Sequence, residues 1–533
     1  MGPIRLIRPS KTHSAVLRRR LADGWAGGYE EGMGSLNYLD WTIFAGYLAV
    51  VFVVGMWFAR RQHSNEDYFV GGRSMFWLAV GMSLFATGFS SVSFLALPRE
   101  AAFEDYHFLV TLLMIPLIVT PILWWLVVPL LIELKVTSLY EYLEIRFNRT
   151  LRRLGTLLFA GYAIGWMGSA LYATGMILQS MLGLTAVQFN LMLVGLGAFA
   201  IFYTAVGGMQ AVVWTDVLQG ATLAGSMLIL LLLAVGYVDG GWSSVWRIGW
   251  EHRKFDMFNM TLDFSQRRSF QAAMGFALCM YLPGYVASQV TVQRYVSVSN
   301  LRAARRALAL NAVATPLVGL LFFVVGSTLF AYYNQPGAPG LPEVGAGKVL
   351  QRADQILPHF VATVLPKVGL SGLLLAGLFA AAMSTIDSGI NSLTAVVVYD
   401  WLSGRKLPVR VSRVLSVVFG AAVVGAALLA PLLADNVIGI ITKIAGIFLG
   451  LLLGVFLLGM LAPRANTGGA FIGLAAAGAC LAAAWAWSSI PLWWYGAVTT
   501  VPTFVVGLIA SYAFAPPTRD QRRGLALWLQ RKT

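Results

Sequence analysis

The fold is decided by one short stretch inside the second long apolar segment, Ala86-Thr87-Gly88-Phe89-Ser90-Ser91-Val92-Ser93. Small and hydroxyl-bearing residues around a glycine, halfway along an apolar helix, predict that the backbone unwinds there. Unwound carbonyl groups are tolerated in a membrane only where protein or a cavity surrounds them, because lipid offers no hydrogen bonds. Buried oxygens of this kind suit a hard cation such as sodium. The alternative is that these small residues only let neighbouring helices pack closely.

Long apolar segments flank this stretch on both sides. The 533 residues are 58% hydrophobic and 11% charged, whereas a typical soluble domain carries about 25% charged residues. Apolar runs long enough to cross about 30 Å of hydrocarbon recur between Leu39 and Phe514. We therefore predict an all-α polytopic membrane protein with about thirteen transmembrane helices. The predicted spans are 39–59, 75–97, 107–132, 154–182, 186–205, 208–235, 271–291, 307–332, 368–400, 411–434, 437–461, 468–487 and 492–514.

Basic residues collect between alternate spans and orient the chain. The clusters include Arg60, Arg146, Arg302 and Arg410. With thirteen spans they all fall on one side, which the positive-inside rule assigns to the cytoplasm. We expect a multi-pass protein of the cell (inner) membrane, with its N-terminus outside and its C-terminus inside. This topology explains the formal net charge of +15, so the expected partner is the lipid bilayer and not a nucleic acid, and no obligate protein partner is evident.

The N-terminal segment disagrees with that orientation, because its arginines and lysine should resist translocation. It lacks the apolar stretch of a signal peptide. We expect either a disordered basic extension or a true start at Met33. The predicted segments are this extension at 1–38, a peripheral helix at 39–59, repeats at 75–235 and 271–461, peripheral helices at 468–514 and a basic cytoplasmic tail at 515–533. Two five-helix repeats have opposite orientations because five is odd, and inverted repeats place a binding site near the mid-membrane.

A second polar stretch, residues 380–392, lies inside the ninth predicted span. Four of its residues follow the i, i+3, i+4, i+7 spacing of one helix face. They are Ala381, Ser384, Thr385 and Ser388. The neighbouring Asp387 is the key residue, because a charge in the bilayer core is expensive and usually marks an ion or proton path. A buried ion pair or a water-filled vestibule is the alternative role.

A third stretch, Gly207 to Gln219, opens the sixth predicted span. Asp216 lies about two turns into this helix, which is too deep for a simple N-terminal cap. The carboxylate there is predicted to bind a cation or to deliver it to the cytoplasm. The alternative is a partly solvated acid that the positive start of the helix stabilises.

Four motifs, in order, resemble the sodium:solute symporter family, and together they cover about residues 38–465. They are Asp67–Ser74, Gly207–Gln219, Gln289–Tyr295 and Ser384–Ser392. The resemblance implies the leucine-transporter fold with 5+5 inverted repeats and alternating access. It also implies inward sodium flow coupled to uptake of a small organic solute. No enzyme motif competes with this interpretation, so we expect a secondary transporter and not an enzyme.

The resemblance also implies where Na⁺ binds. The main sodium site of the family falls on the carbonyls of Ala86, Phe89 and Ala381 and on the hydroxyls of Ser384 and Thr385. The second site of some members falls on Asp216, Ser384, Asp387 and Ser388. Asp387 departs from the family, whose members with this site more often have a hydroxyl. Three roles are open for the extra carboxylate. It strengthens the second sodium site, it makes that site sensitive to protons, or it belongs to an ion pair unrelated to sodium. Proton-coupled transport through Asp387 and Asp216 is therefore the alternative mechanism.

The solute pocket of this fold implies a further set of residues. They are Ser90, Ser91 and Ser93 in the second span, Tyr281 and Tyr285 in the seventh, and Thr442 and Lys443 in the eleventh. Three roles are open for Lys443. It pairs with the carboxylate of an organic anion, it neutralises an acidic side chain of the protein, or it extends its ammonium group to the membrane interface. The residue set of sugar-transporting relatives is missing, and the fourth span lacks the arginine of sialic-acid carriers. We predict a small carboxylate, with a sugar or other neutral solute as the alternative.

Overall fold

The computed structural model describes residues 37–59, 62, 64–262, 266, 268–345, 353–365, 369–402, 407–430, 437–487 and 490–530. The side chains of residues 59, 180, 181, 437–442, 487 and 492 lie outside this description. Most of the predicted N-terminal extension, together with the alternative start at Met33, lies outside the described residues.

Helices account for nearly all regular structure in the described part of the chain. The first nine are α1 (Tyr38–Ala59), α2 (Asn65–Val70), α3 (Trp77–Gly88), α4 (Ser91–Phe103), α5 (Leu109–Leu134), α6 (Glu141–Arg146), α7 (Arg149–Leu182), α8 (Ala186–Val235) and α9 (Gly241–Glu251). The others are α10 (Phe270–Val286), α11 (Gln289–Val296), α12 (Leu301–Asn334), α13 (Ile356–Thr363), α14 (Leu370–Asp400), α15 (Val409–Leu429), α16 (Val437–Leu461), α17 (Thr467–Trp487), α18 (Tyr495–Ala510) and α19 (Leu527–Gln530).

Two bent helix pairs dominate the architecture. Helices α3 and α4 meet at 67°, and helices α10 and α11 meet at 55°. Ten further helices of the described chain are long and apolar enough to cross a membrane singly. Each bent pair opens one of the two predicted repeats, which supports an inverted-repeat arrangement.

The first bend lies where the sequence predicts unwinding. Helix α3 ends at Gly88, and α4 begins at Ser91. Between them Phe89 (φ −96°, ψ 102°) and Ser90 (φ −89°, ψ 170°) are extended. This confirms the predicted break within residues 86–93. The interruption leaves backbone oxygens of α3 and backbone N–H groups of α4 without partners in their own helices.

Helix α14 lies at the centre of the molecule. It is buried along nearly its whole length, and helices α1, α7, α8 and α15 pack around it. Its polar residues therefore face protein and not lipid. By contrast, most side chains of α1 and α15 are not buried by the rest of the protein, as expected for helices whose outer faces meet the bilayer.

Helix α8 contains a second, sharper irregularity. Its 50 residues would extend about 75 Å if straight, far more than the membrane core. Gly208 (φ 62°, ψ −167°) divides the helix between the predicted spans 186–205 and 208–235. The total of thirteen crossings and the sides on which the termini lie stay predictions.

Replacing Gly208 by alanine is expected to destabilise the protein. Its backbone conformation is essentially restricted to glycine, and an added Cβ would lie 2.9 Å from the Tyr68 carbonyl oxygen. We expect a cost of about 1–3 kcal/mol, measured as a lower thermal transition of the detergent-purified protein. Gly225 lies in the same helix, and a Cβ there meets nothing within 4 Å. Gly225→Ala is therefore the control, and an equal effect of both substitutions would contradict the prediction.

Candidate functional site

The break in α3–α4 faces the hydroxyl-bearing surface of α14. The Ser384 hydroxyl donates to the carbonyls of Ala86, at 3.1 Å, and Ala381, at 3.2 Å. The Thr385 hydroxyl donates to the Ala381 carbonyl at 3.2 Å. The structure thus brings four of the five residues predicted for the main sodium site into one group, and Phe89 follows at the break. All five are buried, and the group offers only uncharged oxygens, which suit a weakly bound hard cation.

Beside this group, Asp216 accepts hydrogen bonds from three side chains. Its Oδ2 atom lies 2.5 Å from the Ser83 hydroxyl, 3.4 Å from the Thr87 hydroxyl and 2.8 Å from Nη2 of Arg294. Asp216 and Arg294 are both fully buried. The predicted cation-binding carboxylate is therefore already neutralised by a guanidinium group. A buried ion pair of this kind is retained only where further hydrogen bonds support it.

Arg294 connects Asp216 to the hydroxyl face of α14. Its Nε donates to Ser83 at 2.7 Å, its Nη1 donates to the Val290 carbonyl at 2.6 Å, and its Nη2 also donates to the Ser388 hydroxyl. The sequence analysis identified the Gln289–Tyr295 motif but counted Arg294 only among the basic residues that orient the chain, whereas the structure buries it in this network. An arginine at the end of an apolar span was the signal that could have revealed it.

Asp387 lies next to this network but does not share its guanidinium. Its Oδ1 atom accepts from the Ser388 backbone N–H at 2.6 Å and from the Ser388 hydroxyl at 3.2 Å. Its Oδ2 atom accepts from the Tyr203 hydroxyl at 2.8 Å. No described basic side chain forms an ion pair with Asp387. Tyr203 is a second residue that the sequence did not reveal, because an apolar helix readily contains a tyrosine for packing alone.

A cavity of about 480 Å³ opens beside the α3–α4 break. Ser90, Ser93, Tyr281 and Tyr285 line it, as the family resemblance implies. Further lining residues include Thr111, Tyr162, Trp166, Ser288, Thr291 and Thr315. The walls therefore combine aromatic rings with hydroxyl groups, as expected for a small solute with apolar and polar parts.

The other predicted solute residues lie elsewhere. The Ser91 hydroxyl donates to the Ala170 carbonyl at 3.1 Å, so it ties α4 to α7 and does not line the cavity. Lys443 is half-buried and is also absent from the lining. Helix α16 presents Ala445 and Leu449 to the cavity, and a residue two positions before Ala445 points to another face. The Thr442 side chain lies outside the described residues.

The two ends of α4 place different charges beside the cavity. At its start, Ser90 and Ser93 line the cavity beside the positive end of the helix dipole. Near its end, the buried Glu100 lines the cavity and pairs with Arg99 at 2.6 Å. Lys254 donates to carbonyls at this end, and burial lowers the pKa of its ammonium group. An anion is therefore favoured at the start of α4, whereas the Glu100 carboxylate is already paired with Arg99 and Arg268.

Sequence comparisons with known proteins give matches along most of the chain. The sequence profile of the sodium:solute symporter family matches residues 68–477. The chain is 33% identical over 495 residues to the sodium/sialic acid symporter NanT of Aliivibrio fischeri, covering 91% of this chain and 94% of NanT. It is 34% identical over 450 residues to the human sodium/iodide cotransporter, covering 82% and 68% of the two chains.

A solved structure extends the comparison to the fold. The substrate-bound, outward-open state of a Na⁺-coupled sialic acid symporter matches with a TM-score of 0.80 and 29% identity, covering 91% of this chain and 100% of that one. This likeness confirms the predicted all-α leucine-transporter fold.

Proposed function

The chain belongs to the sodium:solute symporter family and is a multi-pass, sodium-coupled secondary transporter, for which we propose a small organic carboxylate as the solute. The observation that carries this proposal is the start of α4, where Ser90 and Ser93 line the cavity and free N–H groups favour a carboxylate. The names of the relatives support it, because sialic acid is a carboxylated sugar and iodide is an anion. We place the protein in the cell (inner) membrane.

The main sodium ion is proposed to bind between α3 and α14. Its ligands are the carbonyls of Ala86, Phe89 and Ala381 and the hydroxyls of Ser384 and Thr385, as the family resemblance implies. An ion there ties the broken helix to the central helix, and the same break forms one wall of the solute cavity. Sodium binding therefore organises the cavity, and by thermodynamic reciprocity bound solute strengthens sodium binding.

We also propose a second sodium site, and an arginine of the protein competes for its ligands. These ligands are Asp216, Ser384, Asp387 and Ser388. Arg294 donates to both Asp216 and Ser388. The guanidinium holds Oδ2 of Asp216 and the Ser388 hydroxyl oxygen, so a sodium ion that took these two oxygens would have to displace it. Occupation of this set is thus proposed only for states in which Arg294 has moved.

The solute class is tested by uptake into proteoliposomes with an inward sodium gradient, compared with an equal potassium gradient. The panel contains sialic acid, a short monocarboxylate, iodide and a neutral sugar, each radiolabelled. We expect sodium-dependent accumulation of at least one carboxylate, with competition among carboxylates. Accumulation of the neutral sugar that no carboxylate reduces would overturn the carboxylate proposal and leave sodium coupling intact.

A further inference from the structure

The first two turns of α12 carry three arginines, Arg302, Arg305 and Arg306. Their i, i+3, i+4 spacing places them on one face of the helix. Arg302 and Arg306 are exposed, and Arg305 is half-buried. In the described part of the chain no carboxylate forms an ion pair with any of the three, whereas Arg73 and Arg152, on the same predicted side of the membrane, are paired with acids. Positive charge therefore collects here, beside the positive end of the helix dipole.

Tryptophan rings of two neighbouring helices hold two of these guanidinium groups. The guanidinium carbon of Arg305 lies 5.4 Å from the centre of the Trp125 ring in α5, and its Nη2 donates to the Trp124 carbonyl at 3.1 Å. The guanidinium carbon of Arg306 lies 6.0 Å from the centre of the Trp77 ring in α3. Trp125 is 74% exposed. Because tryptophan is enriched at membrane–water boundaries, these contacts mark the level of the lipid headgroups.

The same face of α12 continues as an apolar surface. Val313 and Leu317 follow Arg306 by about two and three helical turns, and they are 63% and 64% exposed. On α5, the side chain of Leu117 is 65% exposed. Leu317 lies about 17 Å along the helix axis from Arg306, which is close to half of the hydrocarbon core of about 30 Å. The face thus combines positive charge at one end with apolar side chains over the depth of one leaflet.

We propose that an anionic phospholipid binds here, with its phosphate on Arg302, Arg305 and Arg306 and its acyl chains along the apolar face of α12. Guanidinium groups suit a phosphate, because their paired N–H groups match two of its oxygens. A free phosphate ion would use the arginines but not the apolar face, which favours a lipid as the occupant. Three unpaired arginines repel the positive group of a zwitterionic headgroup, so the site prefers a headgroup with net negative charge.

The lipid would contact helices that build the transport site. Helix α12 packs against α3 and α5. The Ala86 carbonyl of α3 belongs to the group around Ser384, and Thr315 of α12 lines the cavity. A bound headgroup therefore stabilises the packing of these helices at their predicted cytoplasmic side. The inference goes beyond the proposed function, because it holds whichever solute is carried.

The test measures lipid binding to the purified full-length protein by native mass spectrometry after delipidation in detergent. Phosphatidylglycerol is compared with phosphatidylcholine that has the same acyl chains. We expect wild type to bind phosphatidylglycerol at least about 10-fold more tightly, because each basic residue near an anionic lipid contributes about a factor of five. The triple variant Arg302→Gln/Arg305→Gln/Arg306→Gln is expected to bind it about 10- to 100-fold more weakly than wild type.

The matched control is Arg410→Gln/Arg519→Gln/Arg523→Gln, which removes three exposed arginines elsewhere on the predicted cytoplasmic side. It is expected to bind phosphatidylglycerol like wild type. Equal losses in the two triple variants would overturn the proposal and show only diffuse attraction between a basic protein and an acidic lipid. Inorganic phosphate that displaces phosphatidylglycerol, and raises the thermal transition as much as the lipid does, would also overturn it, because the site would then recognise the free ion.

Trp125→Leu keeps the test decisive if the triple variant fails to fold. It retains all three arginines and removes an exposed ring over which Arg305 lies. The preference for phosphatidylglycerol is expected to fall about two- to five-fold, with an unchanged thermal transition in lipid-free detergent. An unchanged preference in this variant would contradict the site. Since no uptake is measured, failure of this proposal leaves sodium-coupled transport untouched, and the two failures are distinguishable.

Discussion

Sodium-driven uptake is expected to collapse in Thr385→Ala. The Thr385 hydroxyl is fully buried. It donates to the same Ala381 carbonyl as Ser384, the residue that contacts the broken helix. Loss of one ligand oxygen is comparable to loss of a hydrogen bond to a charged group, about 1.5–3 kcal/mol. The sodium concentration for half-maximal uptake should therefore rise about 10- to 100-fold, since each 1.4 kcal/mol is a factor of ten. The measurement is initial uptake in proteoliposomes across a series of external sodium concentrations.

Two control variants distinguish the loss of a sodium ligand from general damage to α14. Thr385→Ser keeps the hydroxyl and is expected to retain most of the sodium affinity. Thr394→Ala removes a hydroxyl from the same helix, where the side chain donates to the Ile390 carbonyl away from the break. Its sodium dependence should match wild type. If Thr394→Ala weakens sodium as strongly as Thr385→Ala, the effect belongs to α14 as a whole and not to an ion site.

Features that depend only on residues within a few turns of one helix could be predicted from the sequence. The break between Gly88 and Ser91 follows from a local run of glycine and hydroxyl residues. The shared face of Ser384 and Thr385 follows from helical spacing alone. Ser91 shows the limit of this reasoning, because a helix turns about 100° per residue. Its neighbours Ser90 and Ser93 line the cavity, while Ser91 itself faces α7.

Contacts between distant segments could not be predicted in the same way. Asp216 and Arg294 are 78 residues apart in sequence, and Tyr203 and Asp387 are 184 residues apart. Nothing in the local pattern of either residue specifies its partner. The sequence marked both carboxylates as functional but left open whether each faces an ion, a proton or a protein cation. Only the packing of α8, α11 and α14 distinguishes Asp216, which has a guanidinium partner, from Asp387, which has none in the described residues.

Arg294→Gln is expected to have the largest effect on stability of any single substitution in the buried network around Asp216. It leaves the Asp216 carboxylate buried without its counter-ion, which typically costs about 3–5 kcal/mol. Uptake should be lost or severely reduced, because Ser83 and Ser388 lose the same partner. The thermal transition of the purified protein and the rate of sodium-driven uptake are the two measurements.

The double variant Arg294→Gln with Asp216→Asn decides why the single variant fails. Removing both charges together leaves an amide pair in place of the ion pair, so much of the lost stability should return, with a coupling energy of about 0.5–3 kcal/mol in the double-mutant cycle. Arg247→Gln is the control, because Arg247 pairs with Glu251 where both side chains are more than half exposed, and such pairs contribute about 0–1 kcal/mol. Additive effects would mean that Asp216 does not depend on Arg294 for its charge balance. Recovered stability without recovered uptake would instead show that the ion pair is needed for transport itself, because the fold would then tolerate its absence while the transport cycle would not.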